Sequence, residues 1–175
     1  MSAETHAGAR DVPMSWDEYV ALGEGVRGEY VDGKLHVPPR PTFRHQVACT
    51  RLTGLLAGAG HLAVADWAWK PGAHEWHPDV MVVGEDVDVS ANRYTGRPRL
   101  IVEVLSSNAT DDTIRKMHQY ALHGLPHYWI LGQYERTLWT YELTASTFRQ
   151  TAEITDRGTP PGWDVEVAVD EVLLR

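Results

Sequence analysis

The sequence predicts a mixed α/β (α+β) domain, a central mixed sheet flanked by helices. Three observations carry that expectation. Apolar, β-branched runs of strand length occupy residues 76–83, 100–105 and 127–131, bounded by Gly, Pro or charged residues, as in strands buried on both faces. Helical spacing fills residues 43–57 and a second stretch from near Asp112 to about His123. Segments at the front and back of the chain read as antiparallel pairs, which argues against a doubly wound parallel sheet.

Taken in order, residues 1–12 are small, polar and unpatterned and read as a disordered tail, leaving 13–175 as one domain. Ser15 and Glu18 have capping-box spacing and open a short helix through Leu22, ended by Gly23 and Gly25. Residues 29–37 read as two strands about an Asp32-Gly33 turn, and Pro38, Pro39 and Pro41 break the pattern. Thr42 is placed to cap the helix over 43–57. Val47, Thr50 or Arg51, Gly54 and Leu55 recur there at helical spacing, with Leu52 and Leu56 beside them and Cys49 as inert core.

Residues 61–70 suit a strand or a pair of strands, and the run over 76–83 follows. An acidic loop leads to the strand over 99–105. Ser106 to Asp112 is a loop with hydroxyls and acids placed to cap the next helix. On that helix Ile114, Met117 and Ala121 form the expected core stripe. Asp112, Lys116 and Tyr120 fall four apart on another face, Tyr120 with its hydroxyl in water. Gly124 ends the helix. A buried strand over 127–131, an antiparallel pair over 136–143 and 146–152, and a closing helical turn near 170–174 complete the chain.

No apolar run approaches the roughly 20 residues of a membrane span, and the N-terminus lacks the apolar segment of a secretory signal. A single cysteine excludes an intramolecular disulfide and a thiolate cluster, so a reducing, cytoplasmic setting is expected. The formal charge of −8 argues against a generic nucleic-acid coat protein. The charge is uneven, however. No acid lies between Asp32 and Asp66, where Lys34, Arg40, Arg44 and Arg51 occur with His36, His45 and His61. That stretch is either solvated surface or a phosphate-contacting face, with Arg40, Arg44 and His45 as its candidate nucleic-acid contacts.

Two of the apolar runs each contain one carboxylate, Asp79 and Glu103. A charge inside a buried strand must be paired, coordinated or neutralised. A divalent cation answers for both acids, since carboxylate oxygens are its natural ligands. With Lys116 on the following helix, the set suits Mg²⁺- or Mn²⁺-assisted phosphodiester hydrolysis: the ion orients phosphate and activates water, and the ammonium stabilises developing charge. Other readings stand beside this one. Asp79 suits a Pro-Asp turn open to solvent, and Glu103 a buried salt bridge to Arg115 or Lys116. His74-Glu75-Trp76-His77 is one residue short of a zinc-helix pattern, and Pro78 forbids the helix. On a strand, Glu75, His77 and Asp79 share a face, which offers His77 as a ligand or its partner. Trp67, Trp69 and Trp76 are candidates for stacking on bases.

The chain resembles the Uma-type restriction endonucleases, a branch of the PD-(D/E)XK nuclease superfamily. The likeness runs from Met14 to Leu174 and rests on blocks in a fixed order. They are Met14 to Tyr19, Arg27 to Leu35, Arg44-His45-Gln46, Pro78 to Val83, Val102 to Ser106, Asp112 to Lys116, Tyr120-Ala121, and Gly124 to Ile130. The resemblance implies a restriction-endonuclease-like core with Asp79 and Glu103 as metal ligands and the main-chain carbonyl of Val104 as a third. Lys116 matches a catalytic lysine displaced onto the helix, since Leu105 occupies the usual position. Glu29 matches an upstream acid at the rim of the metal site. DNA as substrate and a homodimer, pairing two sites to cut two strands, are also implied. Gly28 stands where the family has an aromatic, and Ser107-Asn108 where it has Pro-Ser. The alternative, from another functional class, is a non-catalytic descendant of the fold acting as a binding or regulatory module.

Overall fold

A computed structural model describes residues 10–23, 28–105 and 110–174. Arg10–Pro13 (β1) pairs antiparallel with Lys34–Val37 (β3), which pairs with Glu29–Val31 (β2) in a three-stranded sheet. The expected tail over 1–12 is therefore too long, because residues 10–12 are strand; residues 1–9 lie outside the described residues. Between β1 and β2, Trp16–Ala21 (α1) opens on the Ser15–Glu18 capping box in both directions. The β2–β3 turn has Asp32 at φ 50° and Gly33 at φ 73°, the left-handed pair that a two-residue hairpin requires.

Phe43–Gly58 (α2) starts at Thr42, whose side chain accepts the N–H of His45. Its buried stripe is His45, Ala48, Cys49, Leu52 and Leu56, while Thr50, Arg51 and Gly54 are exposed and Val47 and Leu55 half-buried. The expected face is thus rotated, and Cys49 is core as anticipated. Leu62–Ala65 (β4) and Ala68–Trp69 (β5) form the pair anticipated over 61–70. Val80–Val83 (β6) is shorter than the run over 76–83, because Pro78 has no N–H to donate to a ladder. Trp76 instead bridges to Trp69. Arg93–Tyr94 (β7) adds a two-residue parallel pair with β5.

Leu100–Leu105 (β8), Thr110–Leu122 (α3) and His127–Gly132 (β9) form a parallel strand–helix–strand unit. Thr137–Thr144 (β10) and Thr147–Ile154 (β11) follow as an antiparallel pair, then Arg157–Gly158 (β12), Val167–Ala168 (β13) and Val169–Val172 (α4). The loop expected over 106–112 is shorter, because α3 begins at Thr110; residues 106–109, with Ser107-Asn108, lie outside the described residues. The main sheet has six strands in the order β11-β10-β9-β8-β6-β4, parallel only between β8 and β9. This is the mixed sheet expected.

Each sheet face has its own core. Val80, Val82, Leu100, Val102 and Val104 pack with the buried stripe of α2. Met81, Val83, Ile101 and Ile130 pack with Trp69, Trp76, Tyr120 and Tyr128. Helices on both faces explain why β6 and β8 alternate so little in polarity. On α3 the expected stripe holds in part: Ala121 is buried and Met117 half-buried against the core, but Ile114 is exposed, and Lys116 and Tyr120 are buried with them.

The pairing of β6 with β8 ends at Val80 opposite Val102. β8 continues against β9 through Glu103, Val104 and Leu105. One edge of its last three residues is therefore open, and Asp79 stands beside that edge. The three-stranded sheet is tied to the segment before β6 by Tyr30 and Glu75, whose main chains exchange two hydrogen bonds of 2.8 Å. Among the described residues no helix is long and apolar enough to cross a membrane.

Candidate active site

Glu29, Arg40, His45, Asp79, Glu103, Val104 and Lys116 line one cleft of about 200 Å³. Continuing the β6–β8 register places Asp79 across from Glu103, so both acids rise from the same end of neighbouring strands. Oδ2 of Asp79 accepts the main-chain N–H of Val104 at 2.7 Å and lies 3.2 Å from Nε2 of His45. The ring of His45 is held on its other side, Nδ1 being 3.6 Å from Sγ of Cys49. His45, expected as a nucleic-acid contact, thus meets a carboxylate.

Glu103 is buried. Its Oε1 accepts from the hydroxyl of Tyr120 at 2.8 Å and from Nζ of Lys116 at 3.3 Å. Lys116 also pairs with Oε1 of Glu29 at 2.8 Å. Glu29 is interior rather than at the rim, 4% exposed, because its carboxylate is satisfied there by Lys116 and by the N–H of His77 at 3.3 Å. His77 thus serves Glu29 through its main chain, while its ring lies 3.8 Å from Oε1 of Glu75 and 3.9 Å from Oδ1 of Asp66. Tyr120 is also displaced from expectation: its hydroxyl is buried against Glu103 instead of wet. Its position four residues after Lys116 was the available signal. Arg115 pairs with Asp112 at 2.5 Å, so the buried salt bridge to Glu103 is made by Lys116 alone of the two candidates.

Arg40 faces the cleft. Arg44 turns to a neighbouring cavity and donates to the carbonyl of Leu174 at 3.2 Å. Trp69 and Trp76 are buried against Tyr120, with ring centroids 5.5 Å from it, which removes them as base-stacking surfaces. Trp67 is half-buried and stacks on Tyr94 at 6.1 Å.

Two carboxylates, Glu103 and Glu29, share the Lys116 ammonium, and Asp79 adds a third acid to the cleft, where Arg40 is the other lining cation. Burial pushes the Glu103 carboxyl up to about 8; Lys116 pulls the other way, while Asp79 and Glu29 add to the rise. The site is short of positive charge, and its donors are hard oxygens. Both features suit Mg²⁺ or Mn²⁺. A second grouping was not anticipated: His45, Cys49 and Asp79 offer N, S and O atoms within 4.8 Å of one another. Burial, with the nearby Asp79 charge, pushes the Cys49 thiol well above its ordinary value. A protonated thiol is a poor ligand, so the oxygen set fits a divalent ion better.

A mixed sheet flanked by helices, with two acids and a lysine gathered at one end of its central strands, defines a protein of the restriction-endonuclease-like class. The chain belongs to the Uma2 family, described as "Putative restriction endonuclease", whose family model matches residues 16–168. A crystal structure of a "putative nuclease" from Anabaena variabilis ATCC 29413, assigned to DUF820, aligns with a TM-score of 0.73. That alignment covers 91% of this chain and 97% of the other at 20% sequence identity, a likeness of fold. No curated protein matches the chain.

Proposed function

We propose that the chain is a Mg²⁺- or Mn²⁺-dependent endonuclease that hydrolyses phosphodiester bonds in DNA. Family membership supports the nuclease role. The observation that carries the finer reading is the convergence of Asp79, Glu103 and Lys116, from three separate elements, on one cleft whose acids outnumber its two cations, Lys116 and Arg40.

In this reading Asp79, Glu103 and the main-chain carbonyl of Val104 hold the ion. When bound, a divalent ion supplies charge against the phosphate and a water acidic enough to become a nucleophile at neutral pH. His45 and the Val104 N–H fix the Asp79 carboxylate, and Tyr120 fixes Glu103. Burial lowers the Lys116 pKa, but the charges of Glu103, Glu29 and Asp112 outweigh it and hold the amine well above its ordinary value. Lys116 is therefore a permanent cation that stabilises the developing phosphorane charge rather than a general base. Glu29 positions that ammonium. Arg40 serves as a phosphate contact at the cleft, with Arg44 beside it and His45 behind Asp79. A homodimer would present two such clefts to two strands.

The test is nicking of supercoiled plasmid with Mg²⁺ or Mn²⁺ by the native chain and by Lys116→Met. Metal-dependent nicking that Lys116→Met abolishes while it still folds supports the enzyme. One observation favours the non-catalytic module: Lys116 already bridges Glu29 and Glu103 as a closed ion-pair set. An absence of both nicking and metal-induced stabilisation leaves only that module.

A further inference from the structure

The turn joining β9 to β10 stands beside the catalytic cleft. Gln133 donates its main-chain N–H and its Nε2 to the carbonyl of Leu105 at 3.3 and 3.1 Å, and Leu105 lines the cleft. The start of α2 stands between two hollows. Arg40, Pro41 and His45 face the cleft. Thr42 and Arg44 face a second cavity of about 270 Å³, whose other wall is Gln133, Tyr134 and Arg136.

Two large aromatic side chains mark this region. Tyr134 is 75% exposed on the cavity wall, and Phe43, between Thr42 and Arg44 on the same turn, is 78% exposed. Rings left this open contribute little to the core. They are surfaces for stacking. Arginines flank this turn: Arg40 lines the cleft, and Arg44 and Arg136 line the cavity. Asp170 and the carbonyl of Leu174 hold the Arg136 guanidinium at 3.1 and 3.4 Å, and Leu174 also receives Arg44. Both guanidiniums are thereby oriented at the cavity.

Exposed aromatics between arginines are the means by which proteins grip single-stranded nucleic acid, base on ring and phosphate on guanidinium. A paired base keeps its faces inside the duplex stack and is not available to such a ring. We propose that this cavity and its aromatic lip bind an unpaired nucleotide adjoining the phosphate in the cleft, so that the substrate carries a single-stranded segment there. The adjacency to a cleaved phosphate rests on the nuclease reading; the binding does not.

The experiment is fluorescence anisotropy of the full chain in EDTA, with a short fluorescein-labelled oligothymidylate and a duplex of equal length. The single strand should bind more tightly than the duplex. Tyr134→Ala and Phe43→Ala should each weaken it about fivefold or more, and Tyr134→Phe should retain it. Equal binding of an oligouridylate supports the same site and widens it to RNA. Unchanged affinity in both alanine variants overturns the inference, as does tighter binding of the duplex. A shift from dimer to monomer on sedimentation with affinity unchanged also overturns it and makes the lip a self-association face. Tyr134-dependent binding without metal-dependent nicking keeps this site and removes the nuclease. Normal nicking with Tyr134-independent binding does the reverse.

Discussion

The main-chain N–H of Val104 donates to Oδ2 of Asp79 at 2.7 Å, so a side chain occupies the place a strand carbonyl would hold. β6 ends its pairing at Val80, and β8 runs past it. The acid closes the ladder that the shorter strand leaves open. Its position is fixed by backbone geometry as well as by the ring of His45 at 3.2 Å.

Asp79→Asn keeps an acceptor for that N–H and loses the charge. The native chain should gain melting temperature with Mn²⁺, and the variant should fold within about 1 kcal/mol of it but lose that gain. Asp79→Ala leaves the Val104 N–H without its acceptor and should cost about 1–3 kcal/mol in urea denaturation. If Mn²⁺ stabilises the Asn variant as much as the native protein, Asp79 is no metal ligand.

Glu103 sets a pH dependence. Burial, the main cause, pushes its carboxyl up to about 8 against the pull of Lys116, from an ordinary 4.5. A raised folded value means that its stabilising contribution is complete below 4.5 and is lost as pH rises through about 8. An incoming cation must displace that proton, so apparent Mn²⁺ affinity should climb with pH up to the same range. Calorimetric Mn²⁺ titrations across neutral and alkaline pH check this against Glu103→Gln. A pH-independent affinity would count against it.

Glu75 predicts the opposite slope in acid. Burial alone would raise its carboxyl, but bonding from His77 and from Tyr19, with the Arg93 charge, holds it below its ordinary 4.5. The Tyr19 hydroxyl donates at 2.8 Å and Arg93 Nε lies 2.7 Å away. A depressed folded value gives stability that is present above 4.5 and lost as pH falls through the folded value. Thermal melts below that pH should show a shallower acid loss in Glu75→Gln than in the native chain. Equal slopes would remove Glu75 from the account.

Gly28 has no room for a side chain. A Cβ there would lie 2.8 Å from the carbonyl oxygen of His36 and collide with the Leu35 side chain. Gly28→Ala should therefore destabilise the protein by about 1–3 kcal/mol through forced movement of β3, read as a lower urea midpoint. An unchanged midpoint would mean that the hairpin moves freely.

The strands, the caps at Ser15 and Thr42 and the Asp32-Gly33 turn were legible because each depends on local spacing or on a residue's own φ preference. The face of α3 was legible only in part, through Met117 and Ala121 but not Ile114. Periodicity ranks faces by apolarity, and here the buried face carries Lys116 and Tyr120, whose polar ends meet Glu29 and Glu103. Hydropathy cannot register a lysine whose counter-charges come from other elements. β1 was missed for a related reason: all four of its residues are exposed, and pairing with β3 alone orders it. Asp79, Glu103 and Lys116 were legible as a set, since each is a charge in apolar or patterned company. Their link to His45 and Cys49, one turn apart on α2, depended on how the helix rotates over the sheet.

The bond between Glu29 and Lys116 spans about half the chain, from a small N-terminal hairpin to the helix that follows β8. That hairpin is seated by the paired main chains of Tyr30 and Glu75. The ammonium consequently receives its nearer acid only after docking is complete, and a chain arrested before that step holds Lys116 against Glu103 alone. Completion of the centre is thus coupled to closure of a long loop. A loosened hairpin withdraws Glu29 from Lys116 without touching Asp79 or Glu103.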